Sequence, residues 1–230
     1  MKIGNPLDFD IILKTHLHLE CMTVTLEGLL TRIEGPYPDD IPCLYAARFI
    51  DGSIRRFYRA DVSKDVRGQL DAIPSPSIFT EVERIKKILS LPSDQEEWRG
   101  LSYIFPDNLS TQDFPDAVLL NTKENKILLE QFESGLSESK HEIFAIVHED
   151  KIVSACNSSR EDNLSAESWV RTIEEYRGRG YARQVTLAWA HNLQQKGKLP
   201  FYTHKLSNIQ SQKVAEGLGL ILYMEDIGYQ

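Results

Sequence analysis

The 230-residue sequence predicts an α+β fold, and three stretches carry that prediction. In "CLYAARFIDGSIRRFYRADV" the pair Asp51-Gly52 divides two runs rich in strand formers, and an Asp-Gly centre supplies the left-handed backbone that a tight hairpin needs. Ile143 to Val147 is apolar without alternation, the pattern of a strand covered on both faces. Ala182, Val185, Trp189 and Leu193 recur at helical spacing until Gly197 and Pro200 end the pattern.

The remaining elements follow in order. The first ninety or so residues read as a small α+β unit, in which the hairpin is followed by two helices, "DVRGQLDAI" and "FTEVERIKKILS", held apart by the breaker "PSPS". In the second of these, Val82, Ile85, Ile88 and Leu89 fall on one stripe. "LPSDQEEWRG" is polar and punctuated, so it marks the expected division between an N-terminal α+β domain over 1–95 and a second domain over 96–230. There "SYIFPD" is expected as an edge strand, "NTKENKILLEQFESGL" as a helix, and "EIFAIVHEDKIVSACNSS" as two strands joined by a polar turn at Glu149 to Lys151. "AESWVRTI" is a further strand and "PFYTH" a short one. "SNIQSQKVAEGLG" is a helix with Ser207 or Asn208 placed to cap it and Gly219 to close it, and "LILYMED" is the final strand.

The formal net charge of −8 argues against a general nucleic-acid or anionic-membrane binder, since both surfaces repel an acidic protein. Cys21, Cys43 and Cys156 form no CxxC pair and have no histidine at ligand spacing, so neither a zinc site nor a disulfide framework is expected. Cys156 stands in an apolar strand as a small buried hydrophobe; His16, His18, His141, His148 and His191 show no convergent spacing, and His204, at the end of "PFYTH" where it could face the mouth of a site, is read as structural like the rest. The opening "MKIGNPLDFDII" lacks the apolar core of a signal peptide, and no segment is long and apolar enough to span a bilayer. A soluble cytoplasmic protein without a bound metal is expected.

Against this acidic background, "EEYRGRGYARQV" gathers three arginines and two glycines between a strand and a helix. Such a turn exposes unpaired N–H groups at the positive end of the helix dipole, and glycine lets a bulky anion approach them. Arg177, Arg179 and Arg183 add charge around it. A cradle for diphosphate is the natural reading. The stretch lacks the spacing of a nucleotide P-loop and of the dinucleotide GxGxxG turn, and it is too short and too well flanked to be an RNA-binding arginine-glycine tract.

"RGRGYA" is similar to the R/Q-x-x-G-x-G/A motif of the GNAT superfamily of acyl-CoA N-acyltransferases, with Arg177, Gly180 and Ala182 at the defining positions. The context resembles that family too. There a bulged strand precedes the motif, a helix follows, a strand then splays away, and an asparagine opens the next helix; "WVRTI", the Tyr181 to Lys196 helix, "PFYTH" and "NIQSQKVAEGLGL" take those places. The resemblance is specific over about 140–223, weaker back to about 100, and absent before that. Within the superfamily the pattern looks most like the branch containing antibiotic self-resistance acetyltransferases.

The resemblance implies a mixed, mostly antiparallel sheet flanked by helices, and acetyl-CoA as cosubstrate. It places the diphosphate on Arg177, Gly178, Arg179, Gly180, Tyr181 and Ala182, and the pantetheine arm on backbone around Val170, Thr172 and Ile173. An amine then attacks the thioester directly, with Glu167 as the candidate base and the N–H of Val170 or Arg171 meeting the oxyanion. The family's usual tyrosine acid is replaced by Ala215, which leaves Ser211, Tyr223 or solvent to protonate the thiolate; Asn208 and Ser211 stand near the pantetheine. The expected function is acetyl transfer to a small-molecule primary amine, and the alternative is a non-catalytic acyl-CoA sensor or interaction module. The N-terminal unit is expected to shape the acceptor pocket or to be a degenerate copy of the same fold. The last hairpin of the family is shortened here, so a homodimer or a closely docked domain pair is also expected.

Overall fold

The computed structural model describes residues 8–33, 41–107 and 109–230. The first seven residues, part of the stretch read as lacking a signal-peptide core, lie outside them. The described residues form eleven strands and six α-helices, with mostly antiparallel pairing, as an α+β protein. They pack as two compact units. One contains the described residues up to Tyr103 with Thr203–Asn208 and Leu222–Gln230, and the second contains Ile104–Tyr202 and Ile209–Ile221.

In the amino-terminal unit, α1 (Phe9–Leu19) opens on Asp8, whose carboxylate accepts from the Ile11 N–H and satisfies one of the orphan donors of the first turn. It buries Ile12, Leu13, His16 and Leu17. Strands β1 (Met22–Val24) and β2 (Leu29–Arg32) pair antiparallel, and β2 lies parallel to β4 (Ile54–Arg59). The Asp51-Gly52 hairpin forms as expected: β3 (Leu44–Phe49) pairs antiparallel with β4 from Leu44↔Tyr58 to Arg48↔Ile54, and Gly52 takes φ +83°. The other edge of β3 pairs with β11 (Ile221–Tyr229) from Met224↔Phe49 to Tyr229↔Leu44.

Helices α2 (Lys64–Asp71) and α3 (Val82–Leu89) cover one face of these strands, burying Leu70 and Ile85 against Leu44, Tyr58, Ile227 and Tyr229. The "PSPS" stretch between them is more than a breaker. Ser75–Phe79 turns as a 3-10 helix after Pro74 and inserts Ile78 and Phe79 into that core. "SYIFPD" is not an edge strand: β5 (Trp98–Ile104) begins earlier and pairs with β11. On its other side the Arg99 carbonyl accepts from the Leu206 N–H. The flanking proline limits where the strand ends, but pairing partners decide whether it is inner or outer.

In the second unit, β6 (Val118–Leu120), β7 (Ile143–His148), β8 (Lys151–Glu161) and β9 (Ser165–Thr172) form successive antiparallel pairs. The β7–β8 turn falls where expected, with Glu149 and Asp150 both at positive φ (+49° and +58°), the conformation that matches the strand twist. The helix expected over "NTKENKILLEQFESGL" is shorter. α4 (Lys126–Phe132) stops before Gly135, which takes φ +80° and starts a separate 3-10 turn at Leu136–Glu138.

α4 seals one face of β7–β9 through Leu129, Phe132, Ile152, Ala155, Trp169 and Ile173. The opposite face carries α5 (Tyr181–Gln195), which buries Val185, Ala188, Trp189 and Leu193 and ends at Gly197 with φ +74°. The Trp189 indole N–H donates to Ser158 Oγ at 3.0 Å, so the largest side chain of this core also satisfies its one polar atom. Strand β10 (Leu199–Lys205) and helix α6 (Ile209–Leu218) follow, and Gly219 closes α6 at φ +67°. Among the described residues no helix is long and apolar enough to cross a membrane, and no group of three His, Cys, Asp or Glu side chains is placed to hold a metal.

Candidate functional site

The site grows from a gap between two strands. β9 and β10 run parallel and pair only over Ser165↔Leu199, Ala166↔Pro200 and Glu167↔Phe201. From Ser168 onward β9 keeps its antiparallel ladder with β8 but has no β10 pairing, so one edge of the strand is left open. The direction of each amide follows from alternation. Ile173 N–H donates to Val153 O at 2.9 Å, so Arg171 and Trp169 also direct their backbone groups to β8, while Val170 and Thr172 present theirs to the open edge. The Ile173 carbonyl accepts from the Tyr176 N–H at 3.0 Å, so both backbone groups of Ile173 are engaged within the chain. The open-edge amides are therefore those of Val170 and Thr172, and the Arg171 N–H faces β8.

The strand then passes into the arginine-glycine turn. Glu174–Tyr176 is a single 3-10 turn, Arg177 is extended, and Gly178 and Gly180 take φ +76° and +78°. A residue with a Cβ is strained there, which is why glycine holds both positions. Gly180 is the N-cap of α5, and no side chain caps that end. With no Ser, Thr, Asp or Asn oxygen in place, the first-turn N–H groups through Tyr181 and Ala182 keep their affinity for an acceptor, and the 15-residue helix adds the positive end of its dipole. Nothing lies within 4 Å of where a Cβ would stand on Gly178 or Gly180, so the approach to the backbone is clear. An uncapped helix opening beside an open strand edge fits a ligand that carries a phosphate group and an amide-containing arm.

The three arginines of the turn are not equivalent. Arg177 Nε reaches the Thr172 carbonyl at 3.4 Å, on the open edge. Arg179 folds back, donating to Glu175 O at 3.2 Å and stacking over the Tyr176 ring at 4.9 Å. Arg183 is tied away from the turn: Nε donates to Gly217 O and Nη1 to Asp113 O, each at 3.2 Å, so it fastens α5 to α6.

Glu167 sits at the last β9–β10 pair, beside the place where the strands part. Its Oε2 is 3.3 Å from Arg160 Nη1. Ser211 lies half-buried in the first turn of α6, its carbonyl accepting from the Tyr202 hydroxyl at 3.5 Å, and Ala215 is buried one turn later. The second unit thus contains Glu167, Val170, Thr172, the whole turn and Ser211. Asn208 and Tyr223 belong to the other unit. Asn208 is exposed just before α6 and donates its N–H to Lys205 O at 2.8 Å. Tyr223 is fully buried, with its hydroxyl in a short hydrogen bond to His16 Nδ1. Burial raises the Cys156 thiol far above its ordinary range, which keeps it protonated and inert.

One irregularity departs from the expected pattern. The extra residue that distorts the β8–β9 ladder is on β8, where the pairing runs Ser158↔Ser168 and then Arg160↔Glu167, not on the strand that leads into the turn. Sequence reasoning missed both that bulge and Arg160. An arginine on a strand reads as a surface charge until the register is known.

Comparison with known proteins bears on the fold and the family. An acetyltransferase of the GNAT family from Colwellia psychrerythraea shares the fold along the whole chain, with TM-score 0.51, 13% identity, and 100% of this chain and 99% of that one covered. A GNAT-family protein from Novosphingobium aromaticivorans aligns at TM-score 0.46 and 22% identity over 59% of this chain and 66% of its own length. A GCN5-related N-acetyltransferase-like protein from Streptococcus suis aligns at TM-score 0.46 and 16% identity, covering 65% and 67%. No curated protein matches the sequence. The family model described as GNAT acetyltransferase matches residues 110–229, the stretch that contains the β7–β9 ladder, the arginine-glycine turn and both following strands. The chain belongs to the GNAT acetyltransferase family.

Proposed function

We propose that the protein transfers an acetyl group from acetyl-CoA to the primary amine of a small molecule by direct attack. The observation that carries this reading is the uncapped α5 terminus, with Gly178 and Gly180 left-handed, following directly on the β9 edge that β10 leaves open. Acetyl-CoA supplies a thioester carbonyl to be attacked. The chain supplies the rest: first-turn amides of α5 and the Arg177 guanidinium hold the diphosphate, and the Val170 and Thr172 amides bind the arm as a further strand would. In this scheme the Val170 N–H also serves as the oxyanion donor.

An alkyl ammonium has a pKa near ~10 and must lose a proton before it can attack. Glu167 takes that proton in this scheme, directly or through water. For the proton returned to the thiolate, Ser211 is the side-chain candidate of this unit and solvent the alternative; Tyr223 is buried in the other unit with its hydroxyl on His16. A thiol pKa near ~8.5 makes that step helpful rather than obligatory. The likeness of "YRGRGYA" and its surroundings to the antibiotic self-resistance branch supports a small-molecule acceptor over a protein terminus.

Calorimetric titration with acetyl-CoA tests the cosubstrate, and CoA release followed with a thiol reagent across aminoglycosides, polyamines and amino acids tests the acceptor. Micromolar to sub-millimolar binding together with amine-dependent release is expected. Failure to bind acetyl-CoA in that range would overturn the proposal. The rival reading, an acyl-CoA sensor, is favoured by Ala215 in place of the usual tyrosine. It requires binding without release for every amine.

A further inference from the structure

The carboxylate assigned as the base does not stand alone on its strand. β8 and β9 pair regularly down to Ser158↔Ser168, and one step further a regular ladder would set Ser159 opposite Glu167. The ladder instead sets Arg160 there, so Ser159 is the inserted residue of a β-bulge. Residues directly opposite in an antiparallel pair share a face, and a shift of one residue moves side chains to the other face. The insertion therefore makes a guanidinium the cross-strand neighbour of Glu167, with the Ser159 hydroxyl kept beside it.

The contacts bear out that geometry. Arg160 Nη1 lies 3.3 Å from Glu167 Oε2, and Ser159 Oγ donates to the same oxygen at 3.4 Å and to the Glu167 carbonyl at 3.2 Å. The two charged side chains retain only 23% and 12% of their exposure. Drawing an ion pair that far from water costs more than an apolar pair of similar size, so stability alone is a weak reason to keep it. The location supplies another reason, because Glu167 is the last residue of β9 before the strand separates from β10.

We infer that Arg160 is a positioning residue, and that the β8 bulge exists to bring it onto Glu167, locking the carboxylate in the orientation from which it takes the amine proton. This inference rests on the reading of Glu167 as the base. The contact runs from Nη1 of a rigid planar guanidinium, a geometry that the flexible point charge of a lysine reproduces only in part. Arg160 neither contacts the acceptor nor moves a proton.

Steady-state kinetics of Arg160→Ala, Arg160→Lys and Glu167→Gln test it, with acetyl-CoA titration of each variant as the control for folding. Arg160→Ala is expected to lose about ten- to hundredfold in kcat while its KM for acetyl-CoA stays within about twofold, because misplacing a reacting group acts on the chemical step. Arg160→Lys should recover part of the loss, and added guanidinium should restore Arg160→Ala but not Glu167→Gln. Should Arg160→Ala fail to bind acetyl-CoA, the Lys variant decides. Variants of Arg160 at the wild-type kcat, with Glu167→Gln inactive, would overturn the inference and leave the base intact. A fully active Glu167→Gln would remove the base and this inference together, and a wild-type protein without turnover would instead remove the acyltransferase reading on which both depend.

Discussion

Trp98 donates its indole N–H to Asp226 Oδ2 at 3.1 Å, and the carboxyl it reaches is only 4% exposed. This pair lies in the amino-terminal unit, on β5 and β11. Burial first, and then the nearby Glu20 carboxylate, push Asp226 up to about 7, against hydrogen bonds from Trp98 and Tyr45 that favour the anion. The group is thereby brought to titrate near neutrality, because burial and a like charge both disfavour its anion.

Stability should therefore depend on pH through this residue. Because the folded state holds the proton more tightly than the unfolded chain, its stabilising contribution is full below about 4, falls as pH rises to about 7, and is flat above that. Between pH 5 and 8 the wild type should lose ~2–3 kcal/mol from this group, and Asp226→Asn should not. Urea unfolding at the two pH values measures the difference. Parallel losses in both proteins would show that another group is responsible.

Two glycine substitutions should move stability in opposite directions. A Cβ on Gly100 would stand 2.5 Å from Asp226 Oδ1 and 3.0 Å from Trp98 Nε1, so Gly100→Ala is expected to cost ~1–3 kcal/mol through overpacking. Gly217, inside α6, has nothing within 4 Å and no positive φ, so Gly217→Ala should add ~0.5–1 kcal/mol. Thermal unfolding of the two variants gives the comparison, and a shift of the same sign in both would contradict it.

The turn arginines should separate by function. Arg177→Ala is expected to weaken acetyl-CoA about fivefold, more at low salt than at high, since it removes one charge from the proposed diphosphate site. Arg183→Ala should leave affinity within about twofold and lower stability by ~1–2 kcal/mol, because its bonds to Gly217 and Asp113 carbonyls join elements of the fold. Calorimetry and unfolding on both proteins would expose a reversed pattern.

At Tyr223, removal of the hydroxyl takes away the short bond to buried His16 Nδ1. Tyr223→Phe should lower stability by ~1–2 kcal/mol, the cost of stripping a buried polar group of one partner. A melting temperature equal to the wild type would mean that His16 is satisfied without it.

How much of the site could be read in advance depends on the distance along the chain over which each feature is decided. The arginine-glycine turn is local. Two glycines, a missing cap residue and a helical repeat sit within a dozen residues, so Gly178, Gly180 and the start of α5 were legible. The choice among Val170, Arg171, Thr172 and Ile173 depended on which amides β8 consumes, and that follows only from the ladder. In the sequence Arg183 is grouped with Arg177 and Arg179 by proximity alone, yet Gly217 and Asp113, far off in sequence, claim it. "SYIFPD" was read as an edge for the same reason: a strand's own residues do not name its neighbours.

By itself the sequence determined the alternation of strands and helices, the Asp51-Gly52 hairpin, the Glu149-Asp150 turn and the glycine-rich opening of α5. Each of these is settled by backbone preferences and periodicity within one or two elements. Only the tertiary structure decided that Arg160 faces Glu167, that His16 meets Tyr223 across 207 residues, and that Asp226 lies buried beside Trp98. Those relationships depend on register and on desolvation, and a single residue's insertion in β8 is enough to bring a guanidinium onto a carboxylate that would otherwise meet a hydroxyl alone.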